Sequence, residues 1–107
     1  MTPREAIPSE WAARITDGAL ALGYDVATSE GGVSNPSALN VMERVGRVCM
    51  SRLIVSWKTR EPAVARQIFS AVLDDIQRVG KKPRRLVIDA SNEKYFAADM
   101  RTFLRAR

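Results

Sequence analysis

One stretch of helical spacing limits the topologies open to this chain. Val64, Ile68, Val72, Ile76 and Val79 recur at three- and four-residue intervals up to Gly80. They form an apolar stripe of about four to five turns, and Pro62 after Thr59 suits a first helical turn and its N-cap. Segments with strand character flank it on both sides. A helix between two strands is a crossover, and a crossover returns the later strand parallel to the earlier one.

The segments themselves follow from period-two patterning and turn formers. Leu20, Leu22, Tyr24 and Val26 alternate with Ala19, Ala21, Gly23, Asp25 and Ala27, so the first strand has a bulky face and a small face with a carboxylate near its end. Turn-forming residues at 28–36 separate it from a second strand at about 38–45. Gly46-Arg47 then turns into a third at about 48–57, making an antiparallel meander. After the helix a basic loop, Lys81-Lys82-Pro83-Arg84-Arg85, leads into Leu86-Val87-Ile88-Asp89-Ala90. Ser91 or Asn92 is placed to cap a final helix at about 93–104. The order is βββαβα, an α/β domain on a mixed sheet whose fourth strand runs parallel to the first. Residues 1–17, with Pro3, Pro8, a lone Trp11 and one helical turn at 9–14, read as a linker or arm, leaving 18–107 as the domain.

The first and fourth strands both end on an aspartate, and both aspartates read as buried. A buried carboxylate needs a partner or a cation. If the two strands are neighbours, Asp25 and Asp89 share the carboxyl edge of the sheet, where open α/β folds bind ligands. Two carboxylates at that edge suit divalent cations and phosphodiester chemistry. Each also has a local alternative: Asp25 as a cap on the turn that follows it, and Asp89 as an acceptor at the last helix N-terminus. Glu43 reads as half of an exposed ion pair, Asp74 and Asp75 as solvent-facing, Glu93 as a first-turn carboxylate and Asn92 as a cap. Cys49 reads as a core cysteine, and Trp57 and Tyr95 as core or strand-edge residues.

Composition removes other chemistries. The 107 residues include no histidine, which excludes a Ser-His-Asp triad, a histidine base and His-ligated zinc. Any catalysis falls to carboxylates. A single cysteine forms no internal disulfide, which fits a reducing intracellular compartment. No apolar run is long enough to span a membrane, and the N-terminus lacks the apolar block of a signal peptide. A net charge of +5 favours a polyanionic partner. Lys81, Lys82, Arg84 and Arg85 are candidate contacts to DNA phosphates, with a merely solvated turn as the alternative.

Three motifs add a family resemblance. Gly23-Tyr24-Asp25-Val26-Ala27, Asn35-Pro36-Ser37-Ala38-Leu39 and, most specifically, Ile88-Asp89-Ala90-Ser91-Asn92-Glu93-Lys94-Tyr95-Phe96 resemble the nuclease domain of the large terminase subunit of tailed bacteriophages. The likeness runs from about residue 7 to the C-terminus, and Ile7-Pro8-Ser9-Glu10-Trp11 resembles the connection that follows the family's ATPase motor. It implies a ribonuclease H-like fold for 18–107, incomplete at the C-terminus. Asp25 and Asp89 would match the catalytic metal ligands of the first and fourth strands, with a two-metal Mg²⁺ or Mn²⁺ site in the complete domain. The implied substrate is concatemeric double-stranded DNA cut during genome packaging, the implied partners are the rest of the terminase and the portal, and the implied location is the cytoplasm of a bacterial host carrying a phage or prophage.

Two departures bear on activity. The family's third acidic ligand lies downstream of the last helix, and this chain stops at Arg107 before it. The motor's P-loop is absent: Asp75 stands where its first glycine belongs before Gly80-Lys81, and Lys82 where it needs Ser or Thr. The expectation is a metal-dependent endonuclease fragment, weak or inactive alone; the alternative is a non-catalytic remnant or DNA-binding module.

Overall fold

The computed structural model describes residues 3–26, 29–30, 33–34, 36–58, 62–89 and 94–106. Its strands are β1 (Ala19–Asp25), β2 (Ser29–Glu30), β3 (Val33–Ser34), β4 (Ser37–Val45), β5 (Val48–Trp57) and β6 (Pro83–Asp89), and its helices are α1 (Pro62–Arg78) and α2 (Lys94–Ala106). The turn-rich segment after β1 contains a small antiparallel pair, β2 with β3, that composition alone does not announce. The main sheet has the order β5-β4-β1-β6. β4 is antiparallel to both β1 and β5, and β6 is parallel to β1, as the crossover helix requires.

One face of this sheet is packed. Leu20, Leu22 and Tyr24 of β1, Leu39 and Val41 of β4, and Leu53 and Val55 of β5 form a single core with Ala65, Ile68, Phe69, Val72 and Ile76 of α1 and Met100 of α2. The Tyr24 ring stands edge-on to Phe69 at 5.1 Å and stacks on Trp57 at 6.0 Å. An Arg66–Asp99 ion pair of 2.7 Å ties α1 to α2. Val79, the last member of the apolar stripe, lies beyond α1 and is exposed.

The N-terminal segment from residue 3 to 17 contributes to this core. Two short 3-10 turns, Pro3–Ala6 and Trp11–Arg14, carry Ile7, Trp11 and Ala12 into it. The indole Nε1 of Trp11 donates to Asp75 Oδ2 at 2.9 Å, and Arg4 donates to the same oxygen at 2.8 Å. Asp75 is therefore buried rather than solvent-facing, whereas Asp74 is exposed. These two donors, with the Arg4 and Arg78 charges, outweigh burial and hold the Asp75 carboxyl below its ordinary range.

Glu43 also departs from expectation. It is fully buried, on the same face of β4 as Leu39 and Val41. Its carboxylate accepts from the Thr16 amide and hydroxyl, the Gly18 amide at 2.7 Å and Arg52 Nε at 2.9 Å. The register of β4 against β5 shifts between Val41 and Met42, where Leu53 and then Ser51 are the partners. Arg52 is thus the extra residue of a bulge, a device that re-aims a side chain. Gly18 is required for a separate reason, because a Cβ there would run into the Arg44 carbonyl. Cys49, expected in the core, is exposed: it lies beside the β4–β5 turn, where Val45, Val48 and Met50 are exposed as well.

Candidate metal centre

β1 and β6 both terminate on their aspartates, and the parallel ladder makes Asp25 and Asp89 Cα partners. The strands lie about 4.8 Å apart, and register-matched positions of a parallel pair share a face. Asp25 is exposed, not buried as its apolar approach suggested, because alternation puts it on the face opposite Leu20, Leu22 and Tyr24. No described helix covers that face. The Asp89 side chain, the capping positions Thr59, Ser91 and Asn92, Glu93 and the Tyr95 side chain lie outside the described residues.

The donor chemistry of this pair fits a hard divalent cation. Two carboxylates on adjacent strands supply anionic oxygens, the ligand type such cations prefer, with no imidazole or thiolate to favour a softer metal. Among the described residues no grouping of three or more His, Cys, Asp and Glu side chains is placed to hold a metal ion. Tyr24, next to Asp25, faces the core, and burial together with the Asp99 charge pushes its hydroxyl up to about 12. It stays protonated at neutral pH and offers no general base to the opposite face.

A polar side chain that the sequence did not single out lies close by. Asn40 is the β4 partner of Gly23, one alternation step below Asp25 on the same face of the sheet. Its carboxamide lies across Gly23.

The basic residues sit at the other end of the sheet. Lys81, Lys82 and Arg84, with Asp17–Ala19, Gly80 and Pro83, line an open cleft of about 470 Å³ where β1 and β6 begin. The seven residues of β6 separate this cleft from Asp89 by about 20 Å. Arg84 and Arg85 belong to the strand rather than to a loop, and Arg85 lies two alternation steps from Asp89, on the same face. Arg44, the Cα partner of Ala19, is exposed at the basic end too and extends the cationic set. Lys81, Lys82, Arg84 and Arg44 thus lie at the end of the sheet opposite Asp25, with the carboxylates of Asp17 and Glu43 near them.

These features define an α/β domain with a four-stranded mixed sheet, covered on one face, with Asp25 on the other and Asp89 as its Cα partner on the adjacent parallel strand. No protein-family model matches the chain, and neither a characterised protein nor a solved structure matches it significantly.

Proposed function

We propose that the chain belongs to a metal-dependent DNA endonuclease with a ribonuclease H-like fold, of the kind found in the large terminase subunit of tailed phages, acting on concatemeric double-stranded DNA during genome packaging. The observation that carries this reading is the pairing of Asp25 with Asp89 at the carboxyl ends of adjacent parallel strands. The motifs around both residues support it. Asp25 and Asp89 would hold Mg²⁺ or Mn²⁺, whose contribution when bound is Lewis acidity toward water and the leaving oxygen of a phosphodiester. The two carboxylates fix the cation at the sheet edge. The exposed face leaves room for a duplex above it, and the basic cleft about 20 Å away gives the DNA backbone a second anchor.

Asp25→Asn tests the metal site. Two carboxylates held together without a cation repel each other, so the variant should fold as stably as the parent or more so while losing more than about tenfold in Mn²⁺ affinity by titration calorimetry. Unchanged affinity would remove the metal site, and unfolding would make Asp25 a structural cap.

The basic cleft favours a second reading, a DNA-binding module without chemistry, since phosphate contacts need no metal. Replacing Lys81, Lys82, Arg84 and Arg85 with alanine should flatten the dependence of log K on log salt by up to about 3 to 4, the value for four phosphate contacts. An unaltered slope would mean that these residues form a solvated turn. The exposed Arg101 and Arg105 of α2 would then be the next residues to test. DNA binding with a normal slope and no Mn²⁺ affinity would select the second reading over the first. We also place the protein in the cytoplasm of a phage-bearing bacterium; no helix among the described residues is long and apolar enough to cross a membrane.

A further inference from the structure

We propose that the outer edge of β5 is a docking site for an extended segment of a partner protein, acidic at both ends, which adds to the sheet as a further strand. β5 ends the strand order, so within the sheet only β4 pairs with it. Val45 and Val48 face each other across the two-residue turn as a hydrogen-bonded pair. Alternation, carried past the bulge at Arg52, then directs the amides and carbonyls of Cys49, Ser51, Ile54 and Ser56 away from β4. Among the described residues no backbone hydrogen bond outside the ladder reaches them. A row of unpaired groups of this kind is a template for another strand.

The two edges of the sheet differ. β6 carries Pro83, which has no amide to offer, and the charges of Arg84 and Arg85, features that keep an edge from pairing. In β5 the only charged side chain is Arg52, and it turns inward to Glu43. An open cleft of about 650 Å³ runs along this edge between β5 and the N-terminal segment at Pro8, Glu10 and Arg14. Its β5 wall combines Ser51 and Ile54 of the uncovered face with the buried Leu53, so the cleft occupies the position of a next strand, about 4.8 Å out. Charge selects the occupant. Exposed Arg47 and Lys58 bracket β5, about 35 Å apart along an extended chain. Arg14 stands on the cleft wall, where Glu10 is the one acidic residue among those described. A second copy of this chain paired antiparallel along β5 would set Arg47 against Lys58 at both ends, whereas a segment with acidic ends meets each with opposite charge.

The probe is a fluorescent synthetic peptide of about twelve residues, alternating threonine and valine between paired aspartates, titrated with the full chain and read by polarisation. It should bind about tenfold or more tightly than the same peptide with lysines in place of the aspartates, and the preference should reverse in the double variant Arg47→Glu, Lys58→Glu. Two forms of the peptide, N-methylated on alternate amides, separate strand pairing from loose adhesion. The form whose β5-facing amides are blocked should bind about tenfold or more weakly, and the form methylated on the outward amides should bind as the parent peptide does. Ile54→Pro removes an outward amide of β5 without touching the β4 ladder and should give the same loss, whereas Ile54→Thr keeps the amide and most of the binding. Thermal melts check that both variants are folded, and the methylated peptides decide the matter if the proline variant is not. No binding, equal binding of the two methylated forms, or a lysine-ended peptide bound as tightly would overturn the assignment. Dimerisation of the parent chain that Ile54→Pro abolishes, with no peptide bound, would make a second copy the occupant instead. None of these outcomes depends on Mn²⁺, so the assignment stands or falls apart from the metal reading.

Discussion

Glu43→Ala is expected to destabilise the domain by about 3 to 5 kcal/mol, the range for breaking a buried ion pair by removing one partner. The carboxylate is fully buried and accepts from Thr16, Gly18 and Arg52. Its loss strands those donors and the largely buried Arg52 guanidinium beside an empty pocket. A domain of this size has a total stability of about 5 to 15 kcal/mol, so chemical denaturation should show a large shift in midpoint. The same residue sets a pH dependence. Hydrogen bonds from Thr16, Gly18 and Arg52 more than offset the burial penalty and lower its pKa from 4.5 to about 2. A depressed carboxyl stabilises the fold fully above its unfolded value, and that contribution disappears as pH falls from about 4.5 toward 2. The loss amounts to about 3 kcal/mol. Asp75, also held low, acts in the same direction. Glu43→Gln keeps the shape and removes the titration, so its stability should vary less with pH across that window; an undiminished acid transition would place the effect elsewhere.

Trp11→Ala is expected to cost about 3 to 5 kcal/mol as a large-to-small core substitution, lowering Tm by more than about 10 °C. Trp11 is only 4% exposed, and its indole is a donor to a buried carboxylate. Trp11→Phe separates the two effects by keeping most of the ring while deleting the donor, and should cost about 1.5 to 3 kcal/mol, the range for a hydrogen bond to a charged group. If residues 1–17 were a solvated linker, both variants would fall within about 0.5 kcal/mol of the parent. A denaturation series on the two variants distinguishes these outcomes.

The two buried carboxylates were legible in the sequence by position and concealed by residue type. Glu43 has the parity of Leu39 and Val41 in β4, and period two alone turns it inward. Asp75 stands three residues after Val72 and seven after Ile68, on the apolar stripe of α1. Residue type alone points both to solvent, because a charged side chain is rarely buried without partners. The partners were the missing information. Arg4 and Trp11 lie far from Asp75 in the chain, and Arg52 reaches Glu43 only through a bulge that no local pattern marks.

What the sequence determined by itself was the order of the four main-sheet strands and two helices, the parallel return of β6 and the placement of an aspartate at the end of β1 and of β6. Each follows from spacing within one segment or from the handedness of a crossover. Tertiary structure alone decided that Asp25 and Asp89 share one register position, that the face carrying Asp25 and Asn40 is the uncovered one, and that residues 3–17 fold back onto α1, β4 and β5. Register and coverage depend on contacts between residues distant in sequence, and those contacts are selected by the burial of the whole core rather than by the periodicity of any one strand or helix.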